Sequence, residues 1–262
     1  MGMILKLLQL NIYKGMYLKN LEDFHSKENF DILCLQEVSG GLASYQKIDG
    51  EYSKGADETF ERLKRRLSLL GELALMYRIK GDPSSYLGNA ILYKKTLKPE
   101  NKRIVWIKKY EELELSNEDW ANSPRVALSL DFKLGDRKFS VITSHLAWGP
   151  TPFDKPYKAR QAKILLEYLK TLKNPFILTG DFNLVPETRI VGSFSKLARN
   201  LIVEYEIKNT LNPRTHRAKE VFPKGKNVDY IFVSEGIKVS DFKLLDEEDL
   251  SDHFGLSLNF EV

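Results

Sequence analysis

The chain is 262 residues long, 42% hydrophobic and 29% charged, with a formal net charge of +4. These are the proportions of an ordinary globular protein able to bury a sizeable core, and they exclude disordered, collagen-like and disulfide-scaffolded chains. The single cysteine forbids an intrachain disulfide, no stretch approaches the roughly 20 apolar residues needed to cross a bilayer, and the mild positive charge permits a polyanionic partner without requiring one.

In chain order, the first apolar stretch predicts a strand near 3–12. Lys6 and Gln9 interrupt it and it runs straight into Asn11, so it reads as a strand and not as a signal peptide. A helix is expected near 16–28 and a strand near 31–36, where Cys34 is a small core residue and points to a reducing, cytoplasmic compartment. A helix near 57–70 precedes strands near 73–79, 86–94, 103–107, 125–133 and 138–146. The clearest helix, near 155–172, has Tyr157, Gln161, Ile164, Leu165, Tyr168 and Leu172 close to one face. A strand near 175–181, a helix near 188–199 and strands near 227–234, 237–244 and 254–261 complete the pattern. With no repeat or low-complexity linker, the expectation is one α/β domain over residues 1–262: two mixed β-sheets packed face to face with helices on their outer faces.

Several apolar runs end in unusual polar residues. Ile177-Leu-Thr-Gly-Asp-Phe-Asn183 delivers Asp181 and Asn183 from one face of an extended chain, with Gly180 allowing a tight turn and Pro186 ending the strand. Comparable segments end at Asn11, at Gln36-Glu37, at His145 and around Asp229, and Ser251-Asp252-His253 precedes the last apolar strand.

Taken in order, Leu35-Gln-Glu-Val38, Gly180-Asp-Phe-Asn183 and Ser251-Asp-His253 resemble the endonuclease/exonuclease/phosphatase superfamily of metal-dependent phosphoesterases, with the deoxyribonuclease I-like fold. Gly88-Asn-Ala-Ile-Leu, Ser123-Pro-Arg125 and Ser144-His-Leu look like its intermediate motifs. The resemblance implies a four-layer sandwich. It also implies that Glu37 binds Mg²⁺ or Mn²⁺, as hard cations want carboxylate oxygen, with Asn11 offering a neutral oxygen on or beside the ion. Asp252 is carried over as a ligand of the metal region. Asp229 orients His253, which hydrogen-bonds or protonates a phosphate oxygen. Asp181 is a water-activating base or a metal ligand, Asn183 holds the nucleophile or a phosphate oxygen, His145 faces another phosphate oxygen, and Gln36 supports the site.

Candidates for substrate contact are Asn89, Arg125, Arg214, His216 and Phe222, the last three in or beside a basic segment between Arg214 and Lys226. His216 stands where the family often has an aromatic residue. A basic loop with an aromatic side chain can grip a nucleic-acid backbone and stack a base, and Trp148 and Phe153 are further stacking candidates. The expected function is hydrolysis of a phosphodiester in nucleic acid, by a nuclease or end-processing enzyme acting as a monomer. The alternative is a phosphatase or phospholipase C-type hydrolase acting on a small phosphorylated molecule or lipid headgroup.

Overall fold

The computed structural model describes residues 3–48, 51–116, 119, 121–216 and 226–262. Fourteen strands and five helices follow one another as β1 (Leu5–Asn11), α1 (Leu18–Glu28), β2 (Ile32–Gly40), β3 (Tyr45–Ile48), β4 (Glu51–Lys54), α2 (Thr59–Leu67), β5 (Leu70–Ile79), β6 (Asp82–Tyr93), β7 (Pro99–Lys108), β8 (Arg125–Leu134), β9 (Arg137–His145), α3 (Pro156–Lys170), β10 (Phe176–Asp181), α4 (Arg189–Ser195), β11 (Arg199–Asn200), α5 (Leu201–Glu204), β12 (Asp229–Val233), β13 (Lys238–Leu245) and β14 (Gly255–Glu261), counting described residues.

Sheet one has the order β13-β14-β1-β2-β6-β5, and sheet two the order β11-β12-β10-β9-β8-β7. Both are mixed: β1 runs parallel to β2, and β10 to β9, among antiparallel neighbours. Residue alternation assigns the faces. Leu7, Ile32 and Cys34 point between the sheets with Phe132, Phe139, Phe260 and Ile142, whereas Leu8, Leu10, Leu33 and Leu35 pack on Leu21 and Phe24 of α1 and Leu63 of α2. Helices α3 and α4 cover sheet two through Ala162, Leu165, Leu169, Val191 and Phe194. The expected sandwich of two mixed sheets between helices is thus present.

Local signals set the helix ends. Asn29 takes a left-handed conformation after α1, Pro156 opens α3, and Thr188 caps α4 by accepting from Val191 N. The helix expected over 188–199 stops at Ser195 and yields to β11 and α5, and the β3–β4 pair falls where the sequence predicts no element. On α3 the buried face is Lys158, Gln161, Ala162, Leu165 and Leu169, while Ile164 is 42% exposed, so the true face is rotated from the expected one. Among the described residues no helix is long and apolar enough to cross a membrane.

Candidate active site

Strand register builds half of the site. His145 at the end of β9 lies beside Asp181 at the end of β10, and Asp229 at the start of β12 lies on the other side of Asp181. Gly180 is needed for this row: its φ is +150°, and a Cβ there would overlap the Ser144 carbonyl oxygen of β9. Past the strand, Asn183 is left-handed (φ 52°) and its amide N–H donates to Asp181 Oδ1 at 2.8 Å, closing a tight Asx turn. Asn183 Nδ2 donates to Leu146 O (3.1 Å) and lies 3.2 Å from His145 Nε2, which is 3.5 Å from Asp181 Oδ2.

The segment before β14 adds His253, whose Nδ1 is 2.8 Å from Asp229 Oδ2. Its Nε2 faces the carboxylates, 3.9 Å from Asp181 Oδ2 and 4.0 Å from Asp252 Oδ1. Thr210 and Asn212, fully buried and not anticipated from sequence, hold this corner. Thr210 Oγ1 accepts from the amides of Val228 and Asp229, and Asn212 Nδ2 donates to Ser251 O.

Sheet one contributes by a different device. Its β2 is bulged between Leu35 and Val38, and Glu37 adopts φ 56°. Gln36 follows Ile32 and Cys34 to the inner face, its Nε2 donating to Gln9 Oε1 (2.9 Å) and across the sandwich to Thr143 Oγ1 (2.8 Å), while the left-handed turn at Glu37 brings that residue to the cavity. Asn11 Nδ2 donates to Glu37 Oε1 (3.2 Å) and Asp181 Oδ2 (3.1 Å), so Asn11 bridges carboxylates from the two sheets. The carbonyl oxygen expected beside a metal instead accepts from Tyr13 N at 3.1 Å.

Four carboxylates, from buried Asp181, Asp229 and Asp252 and from half-buried Glu37, thus converge. Burial raises Asp181, with the charge of Asp229 adding to it, and burial pushes Asp252 up to about 7, with Glu37 adding. Burial alone would lower His253, but Asp229, Asp252 and Asp181 outweigh it and hold it well above its ordinary value. His145 is driven well below its ordinary value by burial, then by Arg125 and His253. Ligand atoms of Asp181, Asp229 and His253 lie within 4.8 Å of one another, as do those of His216, Asp252 and His253. Such a crowd of carboxylates, with burial disfavouring the charged form of Asp181 and Asp252, is the donor set a hard divalent cation fits.

These groups open on a cavity of about 530 Å³. Its walls include Arg125, His216, Lys226 and the half-exposed Trp148, and also Tyr13, Lys14, Tyr77 and Gln46, which the sequence reading did not single out. Tyr13 and Lys14 reach it from a turn of consecutive left-handed residues, φ 47° and 54°. His216 Nε2 is 3.9 Å from Asp252 Oδ2 and its ring is 5.8 Å from that of His253. Two expected substrate contacts have partners within the fold. Asn89 is fully buried away from the cavity wall and donates to Val126 O, tying β6 to β8. Arg214 donates to Asp249 Oδ1 and Asp246 O. Phe153 is exposed but off the cavity, and Phe222, Arg217, Lys219 and Lys224 lie outside the described residues.

No curated protein sequence matches the chain. Among solved structures, the human Nocturnin catalytic domain with bound sulfate superposes with a TM-score of 0.71 at 18% identity, covering 98% of this chain and 93% of that one. D. rerio TDP2 complexed with a single-strand DNA product gives 0.67 at 17% identity, with 99% of each chain covered. The mannosyl-6-phosphatase Bt3783 of Bacteroides thetaiotaomicron gives 0.67 at 18% identity, covering 98% of this chain and all of that one. At these identities the likeness is one of fold. The sequence model of the Endonuclease/Exonuclease/phosphatase family matches residues 8–253, and with that span the chain belongs to this family of phosphoric ester hydrolases.

Proposed function

We infer that the chain, acting as one catalytic domain, is a divalent-metal-dependent phosphodiesterase that works on nucleic acid, at an end more readily than within a strand. The observation that carries the hydrolytic reading is the row His145–Asp181–Asp229 with His253 held on Asp229 at 2.8 Å. Glu37 and Asp252 are the residues assigned to Mg²⁺ or Mn²⁺, with Asn11 beside them, and the bound ion would supply charge neutralisation at the phosphate.

Asp181 orients the attacking water and accepts its proton; its raised pKa keeps it near the working range of a general base. Asp229 fixes the His253 ring so that Nε2 faces the scissile phosphate, and the imidazolium it stabilises neutralises or protonates a phosphate oxygen. Neutral His145 and the Asn183 amide hold the remaining oxygens. For the substrate, a half-open cavity walled by Tyr13, Tyr77 and Trp148 with Lys14 and Arg125 suits a terminal nucleotide whose base stacks on an aromatic ring. The second reading, a phosphatase on a small phosphorylated molecule, is favoured by the engagement of Arg214 with Asp249, which removes one expected backbone contact.

The test is turnover of metal-stripped protein given Mg²⁺ or Mn²⁺, on bis(p-nitrophenyl) phosphate, p-nitrophenyl phosphate, single-stranded, duplex and 5′-blocked oligonucleotides, inositol phosphates and sphingomyelin. Chelation should abolish turnover, and oligonucleotide ends should be the preferred substrate. Cleavage of the small phosphates or lipid alone would transfer the assignment to the second reading, and full activity in EDTA would remove the metal from both.

A further inference from the structure

Lys158 is completely buried although it lies near the start of α3, on the face formed by Ala162, Leu165 and Leu169. Its spacing of four, seven and eleven residues from those side chains is that of a core position, where an apolar residue is the ordinary choice. Among the described residues its ammonium forms no ion pair. Instead it donates to two main-chain carbonyls, Asn183 O at 2.8 Å and Thr151 O at 3.2 Å. Removing an ammonium from water without a counter-ion is costly, so an interior lysine used this way needs a return that leucine or methionine cannot give.

The two carbonyls belong to the two loops that shape the site. Asn183 ends the Asx turn that presents Asp181, in a left-handed conformation that the surroundings must enforce. Thr151 lies in the segment from Trp148 to Pro152 that walls the cavity. Both loops are further stitched to each other and to α3: Val185 N donates to Pro152 O at 2.9 Å, and a Cβ on Gly149 would overlap the Tyr157 hydroxyl. Burial lowers the lysine to about 8 and Asp181 is the strongest charge opposing that shift, so the ammonium also places positive potential under the catalytic turn.

Building on the hydrolase assigned above, we propose that Lys158 is a positioning residue: its buried ammonium clamps the catalytic turn at Asn183 and the cavity wall at Thr151 into one unit, so that the base and the substrate wall keep a fixed relation. A misplacement of about 1 Å in such a site costs on the order of 10²-fold in rate. Lys158→Met should therefore lower kcat on bis(p-nitrophenyl) phosphate by about that factor with KM changed less than about threefold, because this small substrate uses little of the wall. Lys158→Arg, which keeps the charge and N–H donors, should recover at least a tenth of wild-type kcat. Hydrogen exchange should become faster in both 149–152 and 181–185 in the methionine variant, with the strands of sheet one unchanged.

Wild-type turnover is measured first, and its absence with every divalent ion would defeat the proposed function and not the clamp, which the exchange data test alone. Unchanged kcat with unchanged exchange in Lys158→Met would overturn the clamp. If that variant does not fold, Lys158→Gln, a neutral residue that keeps N–H donors, takes its place under the same requirements. Failure of both neutral variants to fold would make Lys158 a core anchor and overturn the positioning role.

Discussion

The two sheets supply the site in opposite ways. Sheet two presents His145, Asp181 and Asp229 by register alone, neighbours in three hydrogen-bonded strands whose backbone needs one special residue, Gly180. Sheet one reaches the same space through a bulge, with Glu37 at φ 56° and the turn after β1 carrying Tyr13 and Lys14 at φ 47° and 54°. Left-handed backbone at a non-glycine residue costs on the order of 1–3 kcal/mol and persists only where surrounding structure over-determines it. Asp181 and the Asp229 that orients His253 are therefore held by the sheet's own hydrogen bonds, and Glu37, one of the two carboxylates assigned to metal, is held under strain. Substitutions in the first half should cost chemistry while sparing stability, and substitutions in the second half should trade one for the other.

The largest effect is expected where the register-built row meets the segment before β14, at the Asp229–His253 pair. His253→Ala should lower kcat by about 10²-fold or more, the scale for a positioned acid–base group, with Tm little changed. Asp229→Asn should cost a similar factor, because the carboxylate both orients the ring and sustains its charge. The double variant should be much less impaired than the product of the two, since paired groups fail as a unit. Multiplicative losses in steady-state kinetics would show that Asp229 serves something other than His253.

The strained half gives the next effect, of mixed sign. Glu37→Gly removes a carboxylate from a crowd of four and accepts a left-handed φ without penalty. The metal-free variant should gain about 1 kcal/mol, which is roughly 2–4 °C in Tm for a chain of this size. In exchange it should lose most of the Tm increase that Mg²⁺ or Mn²⁺ gives the wild type, because stabilisation by a ligand follows its affinity for the native state. A Tm unchanged by the substitution, with the metal shift intact, would place both the strain and the ion elsewhere.

This contrast also explains what the sequence made legible. Asn11, His145, Asp181 and Asp229 stand at strand ends marked by apolar runs, and a run of that kind fixes both the strand and the end at which its polar residue emerges. The layered sandwich followed from the same runs. Tyr13 and Lys14 gave no signal because their direction comes from backbone conformation, and only Gly15 hinted at a turn there. The partners of Asn89 and Arg214 were hidden for a related reason: a short motif names a residue without saying which way it points, and here Val126 O and Asp249 accept from them. Lys158 gave no signal, because the helix face predicted through Tyr157 and Ile164 lies one step around from the buried one. The β3–β4 hairpin has too little apolar alternation to announce itself.

The smallest effect comes from outside both halves of the site and isolates what burial alone does to a histidine. His25 on α1 stacks on Phe30, its Nδ1 has no hydrogen-bond partner among the described residues, and it lies near the Lys94–Asp31 pair. Burial lowers it to about 4, with Lys94 adding and Asp31 opposing; His253, equally buried but ringed by carboxylates, goes the other way. Between pH 6.5 and 4 the unfolded chain therefore binds a proton at His25 that the folded chain refuses. Its contribution to stability is complete above about pH 6.5 and is lost as pH falls towards 4. His25→Gln removes that titration, while the carboxylates of the site titrate alike in both proteins and cancel in the comparison. Urea unfolding across this range should show the wild type losing ground to the variant as the pH drops. A stability difference that stays flat from pH 7 to 4.5 would mean that His25 keeps its ordinary proton affinity and that burial on α1 does not lower it.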